Sequence, residues 1–199
     1  MEIFDANVKG IAAAILADGT INFDVINAEL RDAIFAAIES VATETVNISI
    51  GQLGITTPAI DGSTRASDWA RQYAGDVNVM IGKTTQERVN GVIAKYNETP
   101  GMTLQDIVDA LEPTFGAERA ESIAITEVTR AAAEGFRVHQ NELKQVGIKT
   151  RRISHTNKDD LVCEICRPLD GKSEDDWGYF FEGPPYHSRC RCFITLEVI

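Results

Sequence analysis

All four cysteines of the 199-residue chain lie in one stretch, residues 163–192, with one of its three histidines. They fall in two groups, Cys163-Glu164-Ile165-Cys166 and His187-Ser188-Arg189-Cys190-Arg191-Cys192, with twenty residues between them. A C-x2-C turn brings two sulfurs within reach of one ion, and H-x2-C can fill two further corners of a tetrahedron. The spacing therefore predicts a metal site, with Zn2+ as the favoured ion. Cys163, Cys166, His187, Cys190 and Cys192 are five candidate donors for four positions. Were Cys190 and Cys192 in a strand, their Cα atoms would stand roughly 6–7 Å apart, so both reach one ion only through a turn. His187 is therefore placed in the shell and Cys192 held in reserve. Two disulfides or free thiols are the alternative. Soft ligands that close the site make it structural, whereas a catalytic zinc needs an open position and a nearby base. A structural ion would also account for the ordering of the long loop from Asp170-Gly171 to Gly183-Pro184-Pro185, because the ion's binding energy is then folding energy.

Other chemistry has little support. No G-x-S-x-G, P-loop or G-x-G-x-x-G is present. His139 falls within a helical pattern and reads as a surface or packing residue. His155 precedes Asp159 and Asp160, which could orient an imidazole, but no nucleophile accompanies it. Glu174-Asp175-Asp176 reads as a solvated turn. The segment Thr126-Glu127-Val128-Thr129-Arg130 is more informative. On a helix Glu127 and Arg130 pair at i, i+3, and Thr126 shares a face with Arg130 at i, i+4. Such a polar face could dock against the cysteine segment and orient it.

These groups need elements to hold them. Residues 1–18 read as a short helix with Asp5 as N-cap and Val8, Ile11, Ile15 and Leu16 as its stripe. Asp24 to about Ala42 is a stronger helix, with Val25, Ile26, Leu30, Ile34, Ile38 and Val41 at helical spacing. From Thr43 to Thr57 the alternation of Val46, Ile48 and Ile50 with Asn47 and Ser49 predicts a strand or extended link. The glycines from Gly51 to Gly62 then predict a loop or hinge. A helix from about Ser63 carries Trp69, Tyr73, Val77, Met80 and Ile81 and should stop at Gly82. Thr84-x-x-Glu87 would cap the next, through Tyr96. Thr103-x-x-Asp106 opens a short helix through Leu111, with Pro113 as its stop. Ala117–Val146 is the longest helix, ended by Gly147. Lys149–His155 and Phe193–Ile199 read as two strands that pair.

The expected fold is mainly α with a small C-terminal β element (α+β): an N-terminal helical arm (1–60), a helical body (61–147), and a zinc-stabilised Cys/His clasp (148–199) packed on the 117–146 helix. The net charge is −11. Residues 1–140 carry 10 basic and 20 acidic side chains, residues 141–152 a net +3, and residues 153–199 a net −4. An acidic body is repelled by phosphate, which disfavours coating of DNA or of an anionic membrane. The basic cluster Lys144–Arg152 is the one exception, and it suits a solvated helix end. No secretory signal and no apolar run long enough to span a bilayer is seen, so the chain reads as one kept in a reducing compartment.

Three ordered blocks carry a resemblance. These are Thr126-Glu127-Val128-x-Arg130-Ala131-x3-Gly135, then Asp159-Asp160-x-Val162-Cys163-x2-Cys166-x2-Leu169-Asp170-Gly171, then Pro185-x-His187-x2-Cys190-Arg191-Cys192. Together, over about residues 117–195, they resemble the phage Mu F-like minor head proteins, also called head morphogenesis proteins. The stretch from Trp69-Ala70-x2-Tyr73-Ala74 to Gly101-x-Thr103-Leu104 resembles that family's helical region more weakly. Residues 1–60 carry none of it. The family usually has Arg before the Thr-Glu pair, where this chain has Ile125, and Pro after the His, where it has Ser188. The resemblance implies a non-enzymatic virion component of a tailed phage or prophage, in few copies, inside the head and in the host cytoplasm during assembly. Its implied partners are the portal protein and the major capsid protein, with packaged DNA a weaker candidate. Thr126, Glu127, Arg130, Asp170, Gly171, His187 and the four cysteines are the motif residues it carries over. Two rival classes stand beside it. One is a zinc-dependent enzyme or toxin-like effector, which would show three ligands and a polar pocket beside Glu127 or Asp170. The other is a DNA-binding zinc module, which would join Lys144–Arg152, Arg167, Arg189 and Arg191 in one basic face.

Overall fold

The computed structural model describes residues 23–55, 62–99, 101 and 103–199. The helix expected over residues 1–18 lies outside them. The protein is mainly helical, with a two-stranded antiparallel sheet near its C-terminus. No helix among the described residues is long and apolar enough to cross a membrane.

Helix α1 runs Phe23–Leu53, eleven residues past the end expected at Ala42. The alternation over 46–50 does not make a strand. Ile34, Ile38, Ala42, Thr45, Val46 and Ser49 are all buried and continue one helical face through that stretch. Packing of this face overrides the β-leaning of the branched residues. Two threonines that might oppose a helix satisfy their hydroxyls within it, Thr43 on the carbonyl of Glu39 (2.8 Å) and Thr45 on that of Val41 (2.8 Å). The chain then turns at Gly54, and the rest of the expected 51–63 loop falls largely outside the described residues.

Helix α2 runs Gly62–Glu98 without a break. Gly82 is buried inside it, and Thr84 does not cap a new helix. Its hydroxyl donates back to the carbonyl of Met80 (3.0 Å), because the backbone N–H groups that a cap would serve are already paired. Helix α3 runs Leu104–Phe115, and Thr103 with Asp106 forms the expected reciprocal capping box. Pro113 lies inside α3 rather than ending it. The carbonyls of Pro113 and Thr114 near its end accept from Arg88 (3.3 Å) and Arg119 (2.6 Å).

Helix α4 runs Ala117–Gln145. It ends as expected at Gly147, whose φ of +84° permits the N–H of Ile148 to reach the carbonyl of Leu143 (2.9 Å). Strands β1 (Thr150–His155) and β2 (Phe193–Val198) then pair antiparallel, from Thr150 opposite Val198 to His155 opposite Phe193. Arg152, Ser154, Ile194 and Leu196 share the buried face of this ribbon.

The chain divides into two compact units, one of residues 34–74 with 123–199, the other of residues 75–122 with the segment up to 33. In the second, α3 buries Ile107, Leu111 and Phe115. The first holds the ribbon, the cysteines and most of α4. One core cluster there joins Ala133, Phe136 and Leu143 of α4 to Cys166, Leu169, Trp177, Tyr186, Cys190, Cys192, Ile194 and Leu196. The clasp is thus packed on α4, and the sulfurs are part of its hydrophobic core.

Candidate metal centre

The two cysteine groups meet at the start of β2. After β1 the chain turns through Cys163–Cys166 into a 3-10 turn, Arg167–Leu169. Leu169 is buried. The Asp170 carboxylate accepts from the backbone N–H (2.8 Å) and hydroxyl (3.2 Å) of Thr156. These bonds, the backbone one foremost, hold the Asp170 carboxyl below its ordinary value. Gly171 follows at φ +72°, and its N–H donates to the carbonyl of Ser154 (2.8 Å). Leu169-Asp170-Gly171 therefore ties the first cysteine turn to the end of β1.

The second turn is tied to α4. Arg189 adopts φ +61°, uncommon for a side chain of this size. Its N–H donates to the hydroxyl of Thr126 (2.9 Å), and the hydroxyl of Thr129 donates to the carbonyl of Cys190 (2.6 Å). Of the polar face expected to dock on the cysteine segment, Thr126 does so, whereas Glu127 and Arg130 lie against Tyr73. Thr129 does as much of this as Thr126 does. It stands three residues on, at helical spacing, and that spacing was the available signal.

With both turns fixed, the five donors converge. Cys163, Cys166 and His187 form one group and Cys166, Cys190 and Cys192 another, each with its ligand atoms within 4.8 Å of one another. His187 Nε2 stands 3.1 Å from the Sγ of both Cys163 and Cys166, and the sulfurs of Cys166 and Cys190 are 3.8 Å apart. The Ser188 carbonyl lies 2.7 Å from His187 Nδ1 and can only accept, so the proton sits on Nδ1 and the ring presents Nε2 to the sulfurs. A cavity of about 30 Å³ is lined by Cys163, Cys166, His187 and Cys192. None of the cysteines is bonded in a disulfide. The cluster could hold a metal ion, with Cys166 shared by both groups.

The electrostatics suit a cation. Hydrogen bonding from Cys192 pulls the Cys190 thiol down to about 5. The same bond, with burial, pushes the Cys192 thiol up, while burial pushes Cys166 up to about 12. One buried thiolate suppresses the ionisation of its neighbours, and a bound cation would offset that repulsion.

The remaining sequence candidates disperse. Glu127 accepts from the hydroxyl of Tyr73 (2.8 Å) and lies 3.6 Å from Arg130 Nε, the expected i, i+3 pair. His155 does not use Asp159 or Asp160. It contacts the Thr195 hydroxyl (2.9 Å) and stacks on Phe193, while Asp159 pairs with Arg191 (2.9 Å). His139 is wholly buried on Ser49 (2.7 Å), a packing residue, and burial lowers its pKa. The basic residues 144–152 are not one solvated patch, since Arg151 pairs with Glu197 (2.8 Å) and Arg152 is buried.

Glu174 is the correction of most consequence: Asp175 and Asp176 are exposed as a solvated turn requires, but Glu174 is half-buried and turned inward. It accepts from Gln140 Nε2 (2.6 Å), Arg152 N (3.0 Å) and Arg152 Nε (2.7 Å). Burial alone would raise its carboxyl, but these bonds hold it below its ordinary value of 4.5. Arg152 also donates to the carbonyls of Glu182 (3.0 Å) and Phe181 (3.2 Å) and lies over the Trp177 ring. It is the polar hub of the clasp. An arginine inside a basic run and a glutamate inside an acidic run gave no sign of it.

No protein family, no curated protein and no solved structure matches this chain.

Proposed function

We propose that the chain is a structural protein of a tailed-phage or prophage head, a minor head protein of the Mu F-like kind, whose C-terminal clasp is closed by one zinc ion. The convergence of the three motif blocks carries this reading. Thr126 of the first block binds the backbone of the third at Arg189, and Leu169-Asp170-Gly171 of the second is pinned to β1. The blocks are far apart in sequence, and their shared use is to hold a shape. Such a protein acts by presenting a rigid surface to portal or major capsid subunits, inside the head, with no reaction to perform.

Zinc suits the donor set. Soft sulfurs and one imidazole are its usual ligands, and bonds of about 2.3 Å to two sulfurs at the tetrahedral angle set them about 3.8 Å apart. The Cys166–Cys190 separation of 3.8 Å meets this. Cys163, Cys166, His187 and Cys190 then hold the ion, and Cys192 stands beside Cys190 as the fifth donor.

Two measurements test the reading separately. Elemental analysis of the purified, reduced protein should find about one zinc per chain, and a metal-free protein that is fully folded would sink the zinc clasp. Co-expression with portal subunits should bring the chain down with the portal ring. A chain that separates cleanly from both portal and capsid assemblies would remove the head-protein assignment.

A further inference from the structure

Thr126 and Thr129 serve the clasp, but Arg130 of the same helix reaches a different place. It lines a cleft of about 470 Å³ with Trp69 and Tyr73 of α2, further residues of α4, Arg152, and the loop Phe181–Pro184. We propose that this cleft docks an extended, carboxylate-bearing segment of a protein partner. Arg130 receives the carboxylate, and Trp69 and Phe181 seat the apolar side chain beside it.

Arg130 is held ready for this. The Tyr73 hydroxyl donates to Glu127 Oε2 (2.8 Å), and that oxygen faces Arg130 Nε at 3.6 Å. The guanidinium lies over the Tyr73 ring, 5.6 Å from its centre. Carboxylate and ring lie against the stem side of the fork, where Nε makes no hydrogen bond, while its two terminal nitrogens donate to no described residue and remain for a bidentate acceptor. Trp69 stacks on Tyr73, with ring centres 4.9 Å apart and planes 9° apart. Phe181 is 67% exposed, yet its carbonyl and that of Glu182 are held by Arg152, so an open aromatic ring sits on a braced loop. Tryptophan, tyrosine and arginine gathered in one depression are the residues that dominate protein interfaces.

The other charges decide the class of partner. Arg137 is tied to Glu134 through two nitrogens and Arg152 to Glu174, so both belong to the walls. Glu134 and Glu182 line the same cleft, and the chain as a whole carries −11. A nucleic-acid backbone, with a phosphate at every step, would meet those carboxylates. A peptide that offers one carboxylate among neutral residues matches one free fork.

The test uses the intact chain and labelled hexapeptides in a Gly-Ser frame, each with one Asp or Glu beside Phe or Leu. Their Asn or Gln counterparts and an oligo(dT) serve as comparisons. Acid peptides should bind at least about tenfold tighter than their amide counterparts, the size of one charge-assisted bond. Arg130→Met and Arg130→Gln should erase that preference with zinc content and circular dichroism unchanged, and either variant that keeps its helix content decides. Trp69→Leu should weaken acid and amide peptides alike. Equal binding of acid and amide, a preference that survives in the Arg130 variants, oligo(dT) bound more tightly through Arg130, or no peptide binding at millimolar concentration would each overturn the proposal. It rests on the head-protein reading only for which protein supplies the segment. A chain that binds the acid peptide but no portal ring keeps this site and loses that reading, and the converse result does the opposite.

Discussion

Thr126 and Thr129 on α4 hold the second cysteine turn, and Asp170 holds the first, while Arg152 braces the loop between them. Thr129→Val should leave the Cys190 carbonyl without its donor and cost about 1 kcal/mol, read from chemical denaturation, with the proposed metal site looser. Cys163→Ser should lower zinc occupancy and loosen residues 148–199 to hydrogen exchange while most helix signal remains. A collapse of helix content would count against the clasp as a separate addition. Glu174 provides the acid-sensitive contact. Its carboxyl is held below 4.5 in the folded state, so it contributes stability in full above that pH and loses it as pH falls through the folded-state value. Melting curves of the parent and of Glu174→Gln should therefore differ most near neutrality and converge only as pH falls below the folded-state value of that carboxyl. The difference cancels acid effects common to both proteins, loss of the metal among them. Convergence on the alkaline side instead would show that the ion pair with Arg152 is not the cause.

Among the elements, α4 passes close against α1 at Gly135. A Cβ on Gly135 would lie 2.6 Å from the Ala42 carbonyl oxygen and 2.7 Å from Thr45 Cβ. Neither neighbour is the far end of a flexible side chain, so the helices would have to separate. Gly135→Ala should destabilise the unit that holds the clasp by roughly 1–3 kcal/mol, an over-packing cost seen as a lower denaturation midpoint. The same contact explains why the end of α1 was hard to read. Thr43 to Leu53 carries the residues of a strand, but its buried face recurs every three or four residues, and α4 packs against that face. The capping box at Thr84 failed for a related reason: a cap pattern starts a helix only where the preceding N–H groups are free. The similar pattern Thr103-x-x-Asp106, next to the turn at Gly101, does start one.

At the scale of the whole chain, the clasp and the helices draw on different sources of stability. The unit with α4 and the ribbon buries its cysteines in the hydrophobic core, so removing an ion from them would leave like-charged or half-protonated sulfurs there. A strong chelator should therefore give a protein with near-native far-UV signal, eluting earlier from a sizing column, and with the exposed thiols titrating quickly. Of the basic residues a DNA-binding module would join in one face, Arg151, Arg152 and Arg191 each pair with a carboxylate. Retention on heparin should be weak and unaffected by replacing Arg151 with alanine.

The sequence alone determined the set of candidate donors and some of the local stops. Five donors in two spaced groups, a glycine that ends α4, a capping box at Thr103, and two short β-rich runs were all readable. Each depends on residue type and on neighbours within a few positions. Tertiary structure decided what depends on burial across the fold. It carried α1 through a strand-like stretch, drew Glu174 and Arg152 out of charge runs into a paired core, and divided one helix face between the clasp and a cleft. These outcomes turn on which side chain loses its water to which partner, and a one-dimensional pattern of charge and hydropathy does not contain that.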